Sequence, residues 1–570
     1  MANIWKSVFL LATVGHALGV ACSGSPPEGA TQPDASTASN GSRSAAEAGD
    51  YDALAVPVGV PADGSLAANN PDAGGLDAAS YDHAVGPMPE AGLVDGPSRA
   101  PGQSDAATMA DGGPSPGDAG GANAVANPRV IVLTDIGFDP DDQESLVRYL
   151  VYSNELDTEA LIAITSLYLR TNPREDLIRQ EVAAYGQARA NLLKHAPGFP
   201  DAASLLALTA TGQPGYGMAA VGPGKSTAGS QQLIAAIDKP DPRPVWVTIW
   251  GGANTLAQAL QDVSASRTAA DVARFVAKLR VYSISDQDDA GSWIRKTYPQ
   301  LFYIVSPSTQ SPADYPRATW SGISGDRWYK NGPLYKFDMV DNPWLQANVI
   351  LNHGPLGAVY PPFKWIMEGD TPSYIGLIDN GLGWSSSPAY GGWGGRYSLL
   401  QPAGEPHPIW TNDNVVTRDT VAIDDGGTAS SDQATIWRWR EHYQNDFAAR
   451  MNWCVADQFA KANHNPLPVL AGDRSTGVVT LSAKSGSVVP LSAAGTSDPD
   501  GNAVHVSWWI YREAGTLAAP ATLSATDGLT TQVTLPVVSS PGTVHVILQA
   551  VDSGNPPLVA YRRAILDVTP

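Results

Sequence analysis

An α/β domain built on a mostly parallel sheet with helices on both faces, followed by an all-β sandwich of immunoglobulin-like type, is the fold class the sequence predicts. Three observations predict it. From Arg129 onward short apolar runs alternate with segments of helical spacing, two of those runs end in clusters of aspartate, and past Pro466 short strands are separated by turns rich in Gly, Asp and Pro. Strand–helix alternation implies a parallel sheet covered on both faces. Ligands of such sheets bind at the carboxyl ends of the strands.

The 570 residues exceed one ordinary domain, so folded units plus extra segments are expected. Lys6 precedes an apolar run over residues 7–21 that ends in small residues, a secretory signal too short to span a membrane. Cys22 sits where a bacterial lipoprotein is cleaved and acylated, although Gly19 stands where an aliphatic residue is usual. Residues 1–22 are therefore expected to direct export, to the cell envelope as a lipoprotein through Cys22 or to free secretion. Cys454 is the other cysteine, which excludes a disulfide framework once Cys22 is lipidated and excludes a thiolate zinc site. Residues 23–128 are rich in Ala, Gly, Pro, Ser and Asp and carry 14 acids against two arginines. Such composition cannot bury enough apolar surface to offset its ordering entropy, so a disordered acidic stalk is expected. The overall charge of -21 argues against nucleic acid, whose phosphates require Lys and Arg clusters.

The α/β domain is expected over 129–466. Its first strand, residues 130–133, delivers Asp135, Asp139, Asp141 and Asp142 and then a helix over 143–152. Carboxylates crowded at a strand end repel one another unless a cation neutralises them, and Ca²⁺, with Mg²⁺ second, takes oxygen ligands. Helix capping is the competing explanation, and it accounts for one or two of the four. Further strands are expected over 161–166, 244–250, 279–285 and 301–305, with helices over 174–194 and 254–260. The strand 279–285 ends in Asp286, Asp288 and Asp289, placing two acid clusters on one rim.

Other chemistries are excluded locally. Residues 222–226 imitate the end of a phosphate-binding loop, but Ala219 stands where its first glycine belongs. Pro140 replaces the glycine of an EF-hand loop, Gly137 breaks an Asp-x-Asp phosphatase pattern, and no Gly-x-Ser-x-Gly elbow occurs. The nine histidines lack metal-ligand spacing.

The run Thr134-Asp135, Gly137 and Asp141-Asp142 opening a helix resembles the N-terminal signature of nucleoside hydrolases. With Ser145 to Leu150 it resembles more closely their divergent relatives, the bacterial cellulose-binding, nucleoside-hydrolase-like family. Further matching blocks follow in order: Ile284 to Asp289, Trp293 to Arg295, Glu368 to Ser373, Gly391 to Tyr397 and Gln444 to Arg450. The resemblance implies a nucleoside-hydrolase-like sheet and a Ca²⁺ held by Asp135, Asp142 and Asp370, with Asn254 as a further ligand. It implies that Asp141 orients the attacking water or the sugar. Gly369 occupies the place of a histidine that protonates the leaving base in many relatives, and the pentose-gripping Gly-Asn loop is not recognisable after Thr165-Ser166.

The chemistry such a site supports is hydrolysis of a glycosidic or N-glycosidic (ribosyl) bond. A cation lowers the pKa of water, Asp135 takes the proton as general base, and the remaining acids stabilise a cationic sugar. Asp288, Asp289, Trp293, Glu368 and Trp393 are the candidate substrate contacts. Trp384, Tyr390, Trp393 and Tyr397 are interleaved with glycines; these rings either face a saccharide or pack the loop onto the domain. The stripe Ile436, Tyr443, Phe447 and Met451 reads as core.

Residues 467–570 read as the sandwich, with strands over 478–481, 487–491, 503–511, 531–535, 544–551 and 562–568. Trp508 and Trp509 are adjacent in a strand and face opposite sides, so one is core and the other contacts a ligand or the first domain. Two functions follow: a Ca²⁺-dependent hydrolase of glycosides or nucleosides, associated with cellulose or another polysaccharide, or a non-catalytic polysaccharide-binding protein that keeps the fold as a scaffold.

Overall fold

The computed structural model describes residues 126–570 apart from Leu334. The signal segment, Cys22 and the stalk through residue 125 lie outside the described residues. Those that are described belong to one compact unit, and among them no helix is long and apolar enough to cross a membrane.

The first strand, β1 (Arg129–Thr134), is buried along its whole length, as its run Arg-Val-Ile-Val-Leu-Thr requires of a central strand. It leads to α1 (Asp141–Val151), β2 (Asp157–Ala163), α2 (Glu175–His195), β3 (Thr209–Thr211), β4 (Val245–Ile249), β5 (Leu279–Ser285), β6 (Phe302–Ser306), β7 (Ser398–Leu400) and β8 (Ile409–Thr411). These strands form one sheet in the order β3-β2-β1-β4-β5-β6-β8-β7. All neighbours are parallel except β7 and β8. The expected strands are all present. The strands β3, β7 and β8, three residues each, were too short to carry a sequence period.

Alternation along β1 divides the core. Val130 and Val132 pack with Leu146 and Leu150 of α1 and Val182 of α2, whereas Ile131 and Leu133 pack against Leu233 and Leu256 on the opposite face. The sheet is thus covered on both sides. Ile436, Tyr443, Phe447 and Met451 are fully buried in the α1 layer, as their spacing predicts. Because β1 is flanked by β2 on one side and β4 on the other, the crossovers diverge there and open a crevice at the carboxyl ends of β1 and β4.

The C-terminal region is all β. A four-stranded sheet (Val479–Lys484, Val559–Thr569, Gly542–Asp552, Val504–Ile510) faces a three-stranded one (Val488–Ser492, Thr530–Thr534, Thr522–Leu523) across Leu491, Trp508, Val533 and Leu548. Trp508 is core, and Trp509 packs on Trp439 of the α/β part with ring centroids 5.8 Å apart. Tyr511 donates a hydrogen bond to Asp419, which also pairs with Arg396 at 2.9 Å and Arg438 at 2.7 Å. Arg563 reaches into the α/β part and donates to the carbonyls of Leu382 and Gly391. Tyr511, Ile547 and Tyr561 belong to the same apolar cluster as α1 and α2. The two parts therefore share a core rather than meeting across a surface.

That shared core predicts joint unfolding. Trp439→Ala should cost about 3–5 kcal/mol, the usual range for truncating a buried tryptophan. In urea, the transition read by far-UV circular dichroism should move to lower denaturant as one step; two separated transitions would show the parts to be independent.

Candidate functional site

The crevice is built first from β1 and α1. Strand β1 ends at Thr134, the chain turns through Gly137, whose φ of +111° suits glycine, and Asp141 and Asp142 open α1. The residue preceding α1 is Pro140, and no side chain caps the helix. Capping therefore accounts for none of the four acids, although their charge is favoured by the helix amino terminus. Asp139, Asp141 and Asp142 offer carboxylate oxygens that all lie within 4.8 Å of one another, Asp139 half-buried and the other two buried. Asp142 accepts a hydrogen bond from the Thr134 hydroxyl.

Asp370 arrives from more than two hundred residues away because its turn is docked on α1. Arg148 donates to both carboxylate oxygens of Glu368, at 2.5 and 3.1 Å, and all of these side-chain atoms are excluded from solvent. The Glu368 amide donates to Glu144 at 3.0 Å, and Thr371 donates to Glu368 and Ser145. Glu368 holds a left-handed backbone, φ +49°, strain that this network maintains. Beneath it, the Trp250 indole donates to Ser373, whose hydroxyl donates to the Asp370 carbonyl.

Burial and mutual repulsion then dominate the electrostatics. Burial, followed by the charges of Asp139, Asp370 and Asp142, pushes Asp141 well above the ordinary carboxylate range. Burial and then Asp135 and Asp370 do the same to Asp142; burial and then Asp135 and Asp139 do so to Asp370. Burial raises Asp135 to about 7. One oxygen each of Asp135, Asp141 and Asp370 is buried with no hydrogen-bond partner, as is one oxygen of Glu144. Such orphaned anionic oxygens are costly. Gathered in one crevice, they are the donor set a hard divalent cation takes, so the residues fit such an ion.

Gly251 and Gly252, just after β4, are required here. A Cβ on Gly251 would stand 2.5 Å from an Asp135 oxygen, and one on Gly252 would stand 2.5 Å from an oxygen of Asp288. Gly369 is equally constrained: a Cβ there would meet Asp141 and the Trp320 ring, both at 2.8 Å. The place beside Asp370 where a histidine was sought is filled by an indole.

Mutual charge effects place Asp135, Asp141, Asp142 and Asp370 in one crevice, whereas the acids with oxygens within 4.8 Å of one another are Asp139, Asp141 and Asp142. Asn254 opens the helix Asn254–Ser266 with its amide fixed by Thr165 and the Gly215 carbonyl; its Oδ1 is buried and unpartnered. The second acid cluster finds partners within the protein, although burial still raises Asp288 to about 6. Asp286 is paired with Arg295 at 2.8 Å, Asp288 accepts from the amides of Ala253, Asn254 and Ala290, and Asp289 accepts from the Met218 amide. One rim carries both clusters, but one of them is left uncompensated. Three expected substrate contacts are thereby corrected. Asp288 is buried with both oxygens bonded, Glu368 is locked to Arg148, and Trp393 is 1% exposed; Trp293 is half-buried, edge-on against Tyr298. The Gly-rich loop is likewise core: Trp384 donates to the Gly395 carbonyl, Tyr397 bonds Tyr282, and Gly391 gives Tyr511 room to approach. Asp139, part of the acid run but not of the ligand set the resemblance implies, joins the ligand-competent trio, and residues missed from sequence are Glu144 and the rings of Phe138, Tyr168, Tyr315 and Trp320. A cavity of about 680 Å³ lies at the other end of the sheet, lined by Pro128, Pro244, Trp246 and Tyr561, away from these acids.

Residues 129–397 match the family described as cellulose-binding Sde182, nucleoside hydrolase-like domain, and residues 488–568 match the C-terminal domain of cellulose-binding protein Sde0182. A solved structure from Saccharophagus degradans, described as a nucleoside hydrolase-related hypothetical protein associated with carbohydrate metabolism, is 37% identical. The similarity covers 78% of this chain and 100% of that one, with a TM-score of 0.67. The effector protein XOO4466 is 10% identical over 50% of this chain and 88% of that one, and its TM-score of 0.26 carries no argument. No curated protein matches the chain.

The raised carboxylates set a pH dependence. A folded pKa above the unfolded value means that the native state binds the extra protons, so stability is present at low pH and is lost as pH rises from about 4 through the folded value, about 7 for Asp135. In chelator, the melting temperature should therefore be lower at pH 7.5 than at pH 5, by about 3 °C or more, and millimolar Ca²⁺ at pH 7.5 should reverse the loss. A melting temperature that rises from pH 5 to 7.5 in chelator would contradict the burial of these acids.

Proposed function

The chain belongs to the cellulose-binding, nucleoside-hydrolase-like Sde182 family, and from that footing we propose that it is an exported, polysaccharide-associated hydrolase of glycosidic bonds that works with a Ca²⁺ ion. The observation that carries this reading is the set of unpartnered buried oxygens on Asp135, Asp141 and Asp370. Asp135, Asp142 and Asp370 would hold the ion. When bound, it supplies a positive charge that polarises water and makes it a better nucleophile near neutral pH.

The chain's own groups divide the remaining work. Asp135 presents Oδ1 with no donor upon it, in space kept open by Gly251, and is the base that accepts the proton from water. Asp141, also with a free oxygen, accepts from a sugar hydroxyl and opposes the positive charge that develops on the ring. Asp139, half-buried, adds negative charge at the mouth. No acid occupies position 369 to protonate a leaving base, which counts against purine nucleosides; a departing sugar oxygen needs a proton as well and takes it from solvent water. Export is part of the proposal, with residues 1–22 as signal, Cys22 as lipid acceptor and residues 23–128 as the spacer ahead of the α/β domain 129–466 and the sandwich 467–570.

The same glycine supports the competing reading, a polysaccharide-binding scaffold without catalysis. Asp135→Asn separates the two. Reducing-sugar release from cello-oligosaccharides that disappears in this variant, with cellulose retention unchanged, supports hydrolysis; retention with no release from either protein supports the scaffold. For the ion, Asp142→Asn should weaken Ca²⁺ binding in calorimetry at least tenfold, about 1.4 kcal/mol. It should also raise the melting temperature in chelator, because one buried repulsive charge is gone. Unchanged Ca²⁺ affinity would remove Asp142 from the ligand set.

A further inference from the structure

The loop that carries the acids also carries an exposed ring. Phe138, between Gly137 and Asp139, is 50% exposed and stacks on Tyr168, 36% exposed, with centroids 5.2 Å apart and planes 17° from parallel. Tyr168 is set by a tight turn after β2, in which its amide and that of Leu169 both donate to the Ser166 hydroxyl and the Ser166 amide donates to the Leu169 carbonyl. It therefore stands on the same strand rim as Asp135. Inward, Tyr168 meets Tyr315 edge-on at 6.2 Å, and Tyr315 meets Trp320 edge-on at 5.7 Å. Trp320 is the ring that abuts Gly369 beside Asp370. Four rings thus run from solvent to the wall of the acid crevice. The charges of Asp139, Asp141 and Asp135 reach Tyr168 strongly enough to help burial raise its hydroxyl.

An exposed stacked aromatic pair leaves apolar surface in water that packing elsewhere would remove, at about 25 cal/mol per Å². Placed at the mouth of a charged crevice, such a patch marks a binding surface. Its ligand must present a flat apolar face and hydroxyls together. An all-equatorial pyranose does so, with axial C–H bonds on its faces and hydroxyls at its edge, where Asp139 waits to accept. A chain of β-linked glucose units repeats that face along its length.

We propose that Phe138 and Tyr168 form a pyranose-stacking subsite that seats an extended β-linked glucan at the mouth of the acid crevice, with Trp320 closing its inner end. The inference rests on the reading of that crevice as the working site and adds the substrate class and the residues that select it. Of the rings of the Gly-rich loop, Trp384, Trp393 and Tyr397 are buried, and Tyr390 is half-buried with His545 edge-on at 5.2 Å and the Arg563 guanidinium over its face. Trp365 has the same 36% exposure, but the Lys364 ammonium lies over its face at 4.2 Å.

Calorimetry with cellohexaose tests this on the full chain. Phe138→Ala and Tyr168→Ala should each weaken binding at least fivefold, Tyr168→Phe should bind as the parent, and Trp365→Ala should change affinity less than twofold. Both rings are exposed, so melting temperatures should stay near the parent value and report that the variants fold. Cellohexaose affinity unchanged in Phe138→Ala and Tyr168→Ala, or an equal loss in Trp365→Ala, would overturn the subsite, as would inosine binding lost from the same variants with cellohexaose never bound. Ca²⁺ titrations of the same proteins keep the two readings apart. Loss of glucan binding with Ca²⁺ affinity intact supports the subsite, and absence of Ca²⁺ binding in the parent defeats the metal reading while leaving the subsite to stand on its own data.

Discussion

The buried pair between Arg148 and Glu368 is the constraint on which the site depends. The end of β1, the following loop and the start of α1 deliver Asp135, Asp139, Asp141 and Asp142, but Asp370 has to be brought from a distant turn into a place that already repels it. Arg148 lies two turns along the same helix and supplies the compensating charge: its guanidinium bonds Glu368, Gln444 and the Tyr443 carbonyl with none of it in water. A buried pair is not by itself a large source of stability, yet removing either partner strands the other, at about 3–5 kcal/mol. The interaction therefore acts as a register pin. It fixes residues 368–373 against α1 and so fixes Asp370 beside Asp141 and Asp142.

Around that pin the protein accepts a local destabilisation. Several carboxylates share a low-dielectric crevice, and their protonation is what relieves the strain in the absence of a cation. Close packing sharpens the effect, since Gly251 and Gly369 bring backbone close to the Asp135 and Asp141 carboxylates and leave no room for side chains that would dilute the charge. The contrast with the other acidic loop is instructive. Asp286, Asp288 and Asp289 are as dense in sequence, but a guanidinium and several backbone amides satisfy them. Acid density is shared by both; buried carboxylate oxygens left without a hydrogen-bond partner belong to one.

Aromatic residues divide in a comparable way. Trp384, Trp393 and Tyr397 of the glycine-interleaved segment are held in the interior, where Gly391 allows the sandwich residues Tyr511 and Arg563 to approach closely. They join the two parts of the fold into one core. Exposed rings come from elsewhere, among them Phe138 of the acid loop and Tyr168 of the turn after β2.

Fold class was legible in the sequence because periodicity is local. Apolar runs of strand length, helical spacing and turn residues each span fewer than about a dozen positions, and β1, β2, β4, β5, β6 and most sandwich strands follow from them. The acid run from Asp135 to Asp142 was legible for the same reason, being carried by one strand end and one helix start. What the sequence could not decide is which charges find partners, because that depends on side chains far apart in the chain. Glu368 looked like a substrate contact until Arg148 was placed opposite it, and Trp393 looked available until the sandwich closed over its loop. Phe138 and Tyr168 are 30 positions apart with no periodic relation, and only the parallel pairing of β1 with β2 sets them face to face. Local pattern determined the elements; the pairing of strands and the placement of counter-charges determined the site.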